Sequence, residues 1–289
     1  MAGLETEFLA ETAPGGFPIR IAASVSGPIY RELLGSEQPD LSRLSPAGWA
    51  DVSQERAERI LARRAVELGA ELRFGTELVS FEQDADGVTA VLRDLSTGAT
   101  SSVRAEYLVA ADGHHGPIRS ALGIGGHGRG ALGTAASALF EAELGESIGT
   151  RGALYYLQNP QLPGNGGALV TTDAPGRYVL NTGLEDGVSP TTARWVELIR
   201  IATGVADLRP TLLNSNDRVF ATEHRIADEF SSGRVHLIGD AARVMPPTGG
   251  LGGNTAILDG YHLAWKLAMV VRGEAGPGLL ASHDPERRP

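Results

Sequence analysis

The sequence predicts a mixed α/β protein in which a mainly antiparallel β-sheet domain is inserted into a second, discontinuous domain. Two predicted strands, Arg104–Ala111 and Arg234–Ile238, lie far apart in the chain, and the apolar runs within them are typical of strands buried on both faces. Between them, alternating segments separated by Gly and Pro indicate a largely antiparallel sheet. We therefore assign residues 1–124 and 226–289 to the discontinuous domain and residues 125–225 to the inserted sheet domain.

The composition is that of a globular protein with an acidic balance. Of the 289 residues, 42% are hydrophobic, and 25 basic against 35 acidic side chains give a net charge of −10. Negative charge repels phosphate backbones and anionic headgroups, which argues against nucleic acid and membranes as partners. The absence of cysteine excludes disulfides, thiolate catalysis and Cys-ligated metals. Since no apolar run reaches membrane-spanning length and Met1–Glu7 does not resemble a signal peptide, we expect a cytoplasmic protein.

The N-terminal part is expected to be irregular up to its first helix. Residues 1–50 are rich in Pro, Gly and Ser and suggest a crossover with one short strand near Ile19–Ala23. A helix follows, because Asp51 or Ser53 can cap its start, apolar residues recur at helical spacing, and Gly69 can end it.

Short strands separated by turns should follow this helix. The first three are predicted at Glu71–Phe74, Leu78–Gln83 and Val88–Leu92, the last two joined by the hairpin-like turn Asp84-Ala85-Asp86-Gly87. The inserted domain should contain strands at Ala135–Glu143, Ala153–Gln158, Ala168–Thr172 and Arg177–Leu184. One helix, Thr191–Thr203, carries an apolar stripe and should pack on that sheet.

The pattern most typical of a ligand site follows the strand Arg234–Ile238. This strand ends in Gly239 and Asp240, which places a carboxylate at the carboxyl edge of a sheet, where it can accept hydrogen bonds from sugar or ribityl hydroxyls. The run Gly249-Gly250-Leu251-Gly252-Gly253-Asn254 then provides unhindered backbone N–H groups at the start of a helix that is predicted from about Asn254 to Arg272. Such a glycine run alone is equally consistent with a simple turn. Its combination with the strand and carboxylate predicts a nucleotide-binding site.

The whole segment resembles the second FAD motif of the para-hydroxybenzoate hydroxylase-like flavoprotein monooxygenases. The resemblance lies in Gly-Asp, Pro246-Pro247, Gly-Gly-x-Gly-x-Asn and Leu263-Ala-Trp-Lys-Leu267, and Glu286-Arg-Arg-Pro289 is similar to the segment that follows in that family. It implies a Rossmann-like FAD/NAD(P)-binding domain. The residues implied to bind FAD are Gly239, Asp240, Pro247, Gly250, Gly252, Gly253 and Asn254.

A second motif, Tyr107-Leu-Val-Ala-Ala-Asp-Gly-His-His-Gly-Pro-Ile-Arg119, resembles the Asp-Gly signature of the same family. The resemblance assigns Asp112 and Gly113 to the pyrophosphate region of FAD and links the segment to NAD(P)H, although Gly116 stands where a Ser is usual. The alternative for Asp112 is an ordinary turn at a strand end. Gln54 resembles the start of the flavin-proximal helix of the family, but a solvated helix face explains the charges around it equally well.

Two departures from the family pattern bear on function. No Gly-x-Gly-x-x-Gly follows a strand near the N-terminus, so we expect an N-terminally incomplete cofactor domain that binds FAD weakly and has little activity by itself. Arg243 also replaces a His that is common in the family. A non-catalytic remnant, or a binding module that needs a separate N-terminal segment, is therefore an alternative to an enzyme. A nicotinamide dehydrogenase without flavin is a further alternative, which conflicts with the Gly239-Asp240 motif.

The resemblance implies an FAD-dependent monooxygenase that hydroxylates a phenolic or polyketide-type aromatic with NAD(P)H and O₂. The cofactor performs the chemistry, while the protein positions the ring and excludes water. We expect the substrate to contact the sheet within Ala135–Leu184, and no residue is assigned as catalytic.

Other candidate sites are weaker. His114, His115 and His127 lack the spacing of a zinc motif and are interpreted as loop residues, so we predict no metal site. The chain has no Gly-x-Ser-x-Gly element of the kind that carries a nucleophilic serine. Tyr155 and Tyr156 lie on a predicted strand, where packing is favoured over contact with a substrate.

Overall fold

The structure is a computed structural model, and it describes residues 3–12, 17–35, 40, 43–45, 48, 50–145, 152–185, 187–213 and 218–288. The helices are α1 (Glu5–Glu11), α2 (Gln54–Glu67), α3 (Pro117–Ala121), α4 (Thr192–Thr203), α5 (Leu251–Val271) and α6 (His283–Arg287). The strands are β1 (Ile19–Ala22), β2 (Ile29–Leu34), β3 (Thr76–Gln83), β4 (Val88–Asp94), β5 (Thr100–Ala105), β6 (Leu108–Ala110), β7 (Gly126–Glu141), β8 (Leu154–Gln158), β9 (Gly166–Thr171), β10 (Arg177–Gly183), β11 (Thr211–Leu212), β12 (Arg218–Ala227), β13 (Ser231–Ser232), β14 (Val235–Leu237) and β15 (Arg243–Val244). Within this described part of the chain, no helix combines the length and hydrophobicity that a bilayer crossing requires.

The chain forms two compact units, each built from two separate segments. The first unit contains residues 1–72 and 134–220, and the second unit contains residues 73–133 and 221–289. The N-terminal residues thus group with the inserted sheet region, whereas the sequence assigned residues 1–124 to the cofactor domain. That assignment concerns which residues bind the cofactor, and it stays a prediction.

The first unit is built on a mainly antiparallel sheet, as its alternating sequence predicted. Its strands follow the order β7-β10-β9-β8-β1-β2, and β11 pairs with the outer side of β7. All these pairs are antiparallel except β1 with β8, in which Ile19 lies opposite Leu154. The four strands predicted for the insertion are confirmed as β7 to β10.

Helix α4 packs against this sheet through the predicted apolar stripe. Trp195, Leu198, Ile199 and Ala202 are fully buried in one cluster with sheet residues such as Phe140. The helix begins where the Thr191 hydroxyl accepts a hydrogen bond from the Arg194 amide, and it ends at Gly204, whose φ of 76° is the left-handed conformation that glycine adopts readily. Local sequence and burial therefore agree for this helix.

The second unit contains two small sheets and the long helix α5. One sheet has the order β13-β14-β6 with β14 and β6 parallel, and the other is the antiparallel set β3-β4-β5. The predicted hairpin turn is confirmed, because Asp84 accepts hydrogen bonds from the amides of Asp86 and Gly87 through Oδ1. The apolar core of this unit includes Val88, Phe230 and Leu237.

Three expectations about local structure were wrong. The N-terminal fifty residues contain α1 and β2 in addition to the expected strand β1. Residues Glu71–Phe74 do not form a strand. The single strand expected at Arg104–Ala111 is two strands, because β5 pairs with β4 whereas β6 pairs with β14, and the chain changes sheets at Glu106 and Tyr107. Strand pairing across the chain, which local alternation does not encode, decides such a break.

Candidate functional site

Two strands of the second unit end side by side, and each is followed by an acidic residue. Strands β6 and β14 are parallel, with Leu237 opposite Ala110, and the Ile238 amide donates to the Ala110 carbonyl at 3.0 Å. Because the carboxyl ends of parallel strands meet at one edge of a sheet, Asp112 and Asp240 follow the same edge. The structure therefore brings together the two motifs that the sequence singled out.

Asp112 caps the short helix α3. Its Oδ2 accepts a hydrogen bond from the Ile118 amide at 3.1 Å. A Cβ built at Gly116 would lie 2.1 Å from the Asp112 Cγ, so a Ser at that position would require the carboxylate to move. The departure from the family pattern at Gly116 thus matches the local packing. Gly113 has a φ of 81° and allows the chain to turn after the strand.

Asp240 lies in a 3₁₀ turn, Gly239–Ala241, that follows the buried strand β14. Gly239 has a φ of 58°, and a Cβ there would lie 3.2 Å from the Ala256 Cβ, which explains the glycine. Ala241 is buried, whereas the Asp240 side chain is exposed. In the part of the chain that the structure describes, Asp240 has no hydrogen-bond or ion-pair partner, so its carboxylate is available to a ligand.

The glycine-rich loop forms the start of helix α5. The helix begins at Leu251 and not near Asn254 as expected, so Gly252, Gly253 and Asn254 lie in its first turn. Gly250 precedes the helix with a φ of 64°, and its amide donates to the Pro247 carbonyl at 3.0 Å. Added Cβ atoms at Gly250 and Gly253 would meet no atom within 4 Å. Space is therefore open where side chains would start at these two glycines, and the first amides of a helix, which have no partner within it, suit an anionic group.

Behind this turn lies a buried carboxylate that the sequence analysis did not assign to the site. Asp259 is 0% exposed, and its Oδ2 accepts from the Gly239 amide at 3.1 Å. Its Oδ1 accepts from Arg243 Nη2 at 2.9 Å and from Arg287 Nε at 2.8 Å. The available signal was an acidic residue within a largely apolar helix, since a buried charge is retained only where it is paired.

Gln54 lies in the first unit, apart in the chain from the other predicted cofactor residues. It is the first residue of α2, it is exposed, and its Nε2 donates to Glu58 Oε1 at 2.7 Å. The preceding Ser53 caps α2 by accepting from the Arg56 amide. The helix start is thus as predicted, while the role of Gln54 in FAD binding stays a prediction.

A cavity of about 820 Å³ opens on the sheet of the first unit. Its lining includes Phe17, Asp51, Gln54, Thr171, Asp173 and Tyr178. Burial raises the pKa of the half-buried Asp51 carboxyl, which favours its neutral form. Asp173 stays charged, because the Ser53 hydroxyl donates to its Oδ2 at 2.5 Å and Arg56 Nε lies 2.8 Å away, and these contacts lower its pKa.

The tyrosine and histidine residues that the sequence analysis considered as weaker candidates make contacts within the protein. Tyr155 is 1% exposed in the sheet core, and its hydroxyl accepts from Arg20 at 3.0 Å, which confirms that it packs inside the unit. The rings of His114 and His115 stack at 3.8 Å in an exposed turn. The interpretation of His127 as a loop residue was wrong, because it lies in β7, where its Nδ1 is 2.7 Å from Asp228 Oδ1.

Comparisons with known proteins identify the family of the chain. The family model described as "FAD binding domain" matches residues 1–289. Aklavinone 12-hydroxylase of Streptomyces peucetius is 44% identical over 303 residues, which cover 99% of this chain and 60% of that protein. Tetracenomycin B2 monooxygenase-dioxygenase of Streptomyces olivaceus is 40% identical, over 88% of this chain and 47% of that protein.

Solved structures give the same result. The ternary complex of aklavinone-11 hydroxylase with FAD and aklavinone superposes with a TM-score of 0.88 at 38% identity, covering 97% of this chain and 54% of that chain. The substrate-free rebeccamycin biosynthetic enzyme RebC gives a TM-score of 0.83 at 36% identity, over 99% of this chain and 56% of that one. This chain therefore spans a little over half the length of the solved relatives it matches.

Proposed function

The chain belongs to the FAD-binding-domain family, and we propose that it forms the FAD-binding and substrate-binding part of a monooxygenase that hydroxylates an aromatic, polyketide-type compound. The observation that carries the proposal is the exposed, unpaired Asp240 at a strand end, together with the glycine-rich start of α5, where two glycines border open space. Similarity to hydroxylases over almost the whole chain favours this function over a non-catalytic remnant, and the family match disfavours a dehydrogenase without flavin.

The residues of the second unit suit the parts of FAD that the proposal assigns to them. Asp240 would accept hydrogen bonds from ribityl hydroxyls, and the amides of Gly252 and Gly253 would donate to the electron-rich end of the flavin ring. Asp112 keeps one carboxylate oxygen for a ligand, because Oδ2 is committed to α3. When bound, FAD would supply the oxygen chemistry, with NAD(P)H proposed as the source of electrons.

We propose that the cavity of the first unit holds the aromatic substrate. Its volume of about 820 Å³ lies within the roughly 300–1,000 Å³ of small-molecule sites. Phe17 and Tyr178 offer apolar ring surface, while the carboxyl groups of Asp51 and Asp173 offer hydrogen-bonding partners to phenolic oxygens. The cytoplasmic location remains a prediction from composition.

The first test compares FAD binding by the chain and by its Asp240→Ala variant, followed by flavin fluorescence. Each hydrogen bond lost to a charged acceptor is worth about 1.5–3 kcal/mol. One such bond corresponds to roughly 10- to 100-fold weaker binding. Asp86→Ala, an exposed carboxylate of the same unit, is the control and should bind FAD as the unaltered chain does. Equal affinity of the Asp240→Ala variant would contradict the site.

The expected weak affinity of the chain alone is measured in the same titration. The rate of NAD(P)H oxidation is then measured in the presence and in the absence of each of several phenolic and anthraquinone compounds. Stimulation of turnover by an aromatic compound would support the hydroxylase, and tight FAD binding with such turnover would contradict the expectation that the chain needs a further segment.

A further inference from the structure

The turn that presents Asp240 is held from behind by one buried carboxylate. Gly239, immediately before Asp240, donates its amide to Asp259 Oδ2 at 3.1 Å. Arg243, three residues after Asp240, donates from Nη2 to Asp259 Oδ1 at 2.9 Å. Asp259 thus contacts the chain on both sides of Asp240 while Asp240 itself remains exposed.

The surroundings of Asp259 make this contact rigid. The residue is 0% exposed in the middle of α5, where a carboxylate is retained only if it is paired and hydrogen-bonded. Arg287 of α6 provides a third hydrogen bond, at 2.8 Å from Nε to Oδ1, and also donates from Nη2 to the Thr255 carbonyl at 3.4 Å. Charge-assisted hydrogen bonds from two guanidinium groups to one oxygen hold the carboxylate in a single orientation.

The conformation of the turn is also restricted by its own backbone hydrogen bond and by burial. Gly239 adopts a φ of 58°, and its carbonyl accepts from the Ala242 amide at 2.9 Å. Ala241 and Ala242 are buried and close the turn from the inside. The direction of the Asp240 side chain therefore follows from the position of the Gly239–Arg243 backbone, which Asp259 sets.

We propose that Asp259 is a positioning residue for the cofactor site: it touches no ligand and acts by holding the Gly239–Arg243 turn so that Asp240 meets the ribityl hydroxyls. The inference rests on the proposed function, in which Asp240 binds the flavin. Arg243 takes part in the same arrangement, so the Arg that replaces the common His of the family has a role as the second anchor of the turn.

A double-mutant cycle separates this role from a general effect on stability. FAD affinity is measured for the unaltered chain, Asp259→Asn, Asp240→Ala and the double variant, by flavin fluorescence and, for weak binding, by ligand-observed NMR. If Asp259 acts through Asp240, Asp259→Asn should weaken binding by about tenfold in the unaltered chain and by less than about twofold in the Asp240→Ala background. Equal losses in both backgrounds would overturn the positioning role.

Amide hydrogen exchange in the ligand-free chain provides a readout that does not depend on FAD. Asp259→Asn should speed exchange at Gly239 and Asp240 selectively. Val88→Ala, which opens a cavity at a 2% exposed core position of the same unit, is the control that lowers stability without changing FAD affinity beyond the loss of folded protein. Unchanged exchange at Gly239 in Asp259→Asn would overturn the inference.

The outcomes distinguish the two proposals. Unchanged affinity in Asp240→Ala would overturn the proposed function, whereas a loss in Asp240→Ala without coupling to Asp259 would overturn only the positioning role. Should Asp259→Asn not fold, Arg243→Met takes its place in the cycle, because it frees one end of the turn and leaves Asp259 paired with Arg287 and Gly239. The same coupling is then expected.

Discussion

The two units differ in the kinds of side chain that their cores bury. In the first unit, the described residues that α4 and the sheet bury are apolar or aromatic or carry a hydroxyl, and the hydroxyl of the buried Thr203 donates to the Ile199 carbonyl at 2.7 Å. In the second unit, the buried residues include four titratable side chains, namely Asp259, Lys266, His236 and His283.

This difference shows that two units of one chain can be stabilised by different kinds of interaction. Apolar packing is tolerant of detail and is sufficient to form a sheet with a helix on it. Buried charges require partners, and these partners tie distant segments together, as Lys266 Nζ does by donating to Ser282 Oγ at 2.7 Å and to Glu286 Oε2 at 2.5 Å. The unit with the proposed cofactor turn is the one whose interior depends on such pairs.

The largest expected effect tests the apolar core of the first unit. Trp195 is 0% exposed, and Trp195→Ala should lower the free energy of unfolding by about 3–5 kcal/mol, because it leaves a large cavity. Chemical denaturation measures the loss. Trp265→Ala, at a 43% exposed position, is the matched control and should cost much less. A loss below about 1 kcal/mol for Trp195→Ala would show that the core of this unit does not depend on that packing.

A pH titration tests the charged interior of the second unit. Burial, with a smaller contribution from nearby His283, lowers the pKa of His236 from its ordinary value of 6.5 to about 4. The folded state therefore disfavours the protonated ring. Stability should be fully present above pH 6.5, fall as the pH drops below it, and level off near pH 4, with a total loss of roughly 3 kcal/mol from this group.

His236→Leu is the variant that isolates this effect. It should remove most of the loss between pH 6.5 and 4, measured as the difference in unfolding free energy from the unaltered chain. His115→Gln, at an exposed position, should leave the pH dependence unchanged. If the unfolding free energy of both variants depends on pH as that of the unaltered chain does, the buried imidazole of His236 does not cause the acid sensitivity of this unit.

The smallest expected effect concerns a helix end in the first unit. Ser53→Ala removes the cap of α2 and the hydrogen bond to Asp173, and should lower the free energy of unfolding by about 1 kcal/mol. Thermal unfolding followed by circular dichroism measures it. Ser53→Asp, which can accept from the Arg56 amide but places a second carboxylate beside Asp173, should restore only part of the stability. Full stability in Ser53→Ala would mean that the cap is dispensable.

The sequence alone determined the elements whose signals are local. The apolar stripe from Trp195 to Ala202, the capping residue Ser53 and the Asp84–Gly87 turn each act over a few residues, and the structure has them where the sequence predicted them. The two strand-end carboxylates were also found this way, because an apolar run followed by Asp is visible within one short segment.

Only the tertiary structure decided which of these segments meet. The pairing of β1 with β8, the change of sheet between β5 and β6, and the use of Asp112 as a cap for α3 depend on partners or geometry outside the local pattern. The same holds for Asp259, which in the sequence is one of several polar residues in a largely apolar helix and becomes the anchor of the Asp240 turn only when Arg243 and Arg287 reach it. A buried charge is stabilised by groups that are distant in sequence, so the sequence shows that it needs partners, and folding determines which ones.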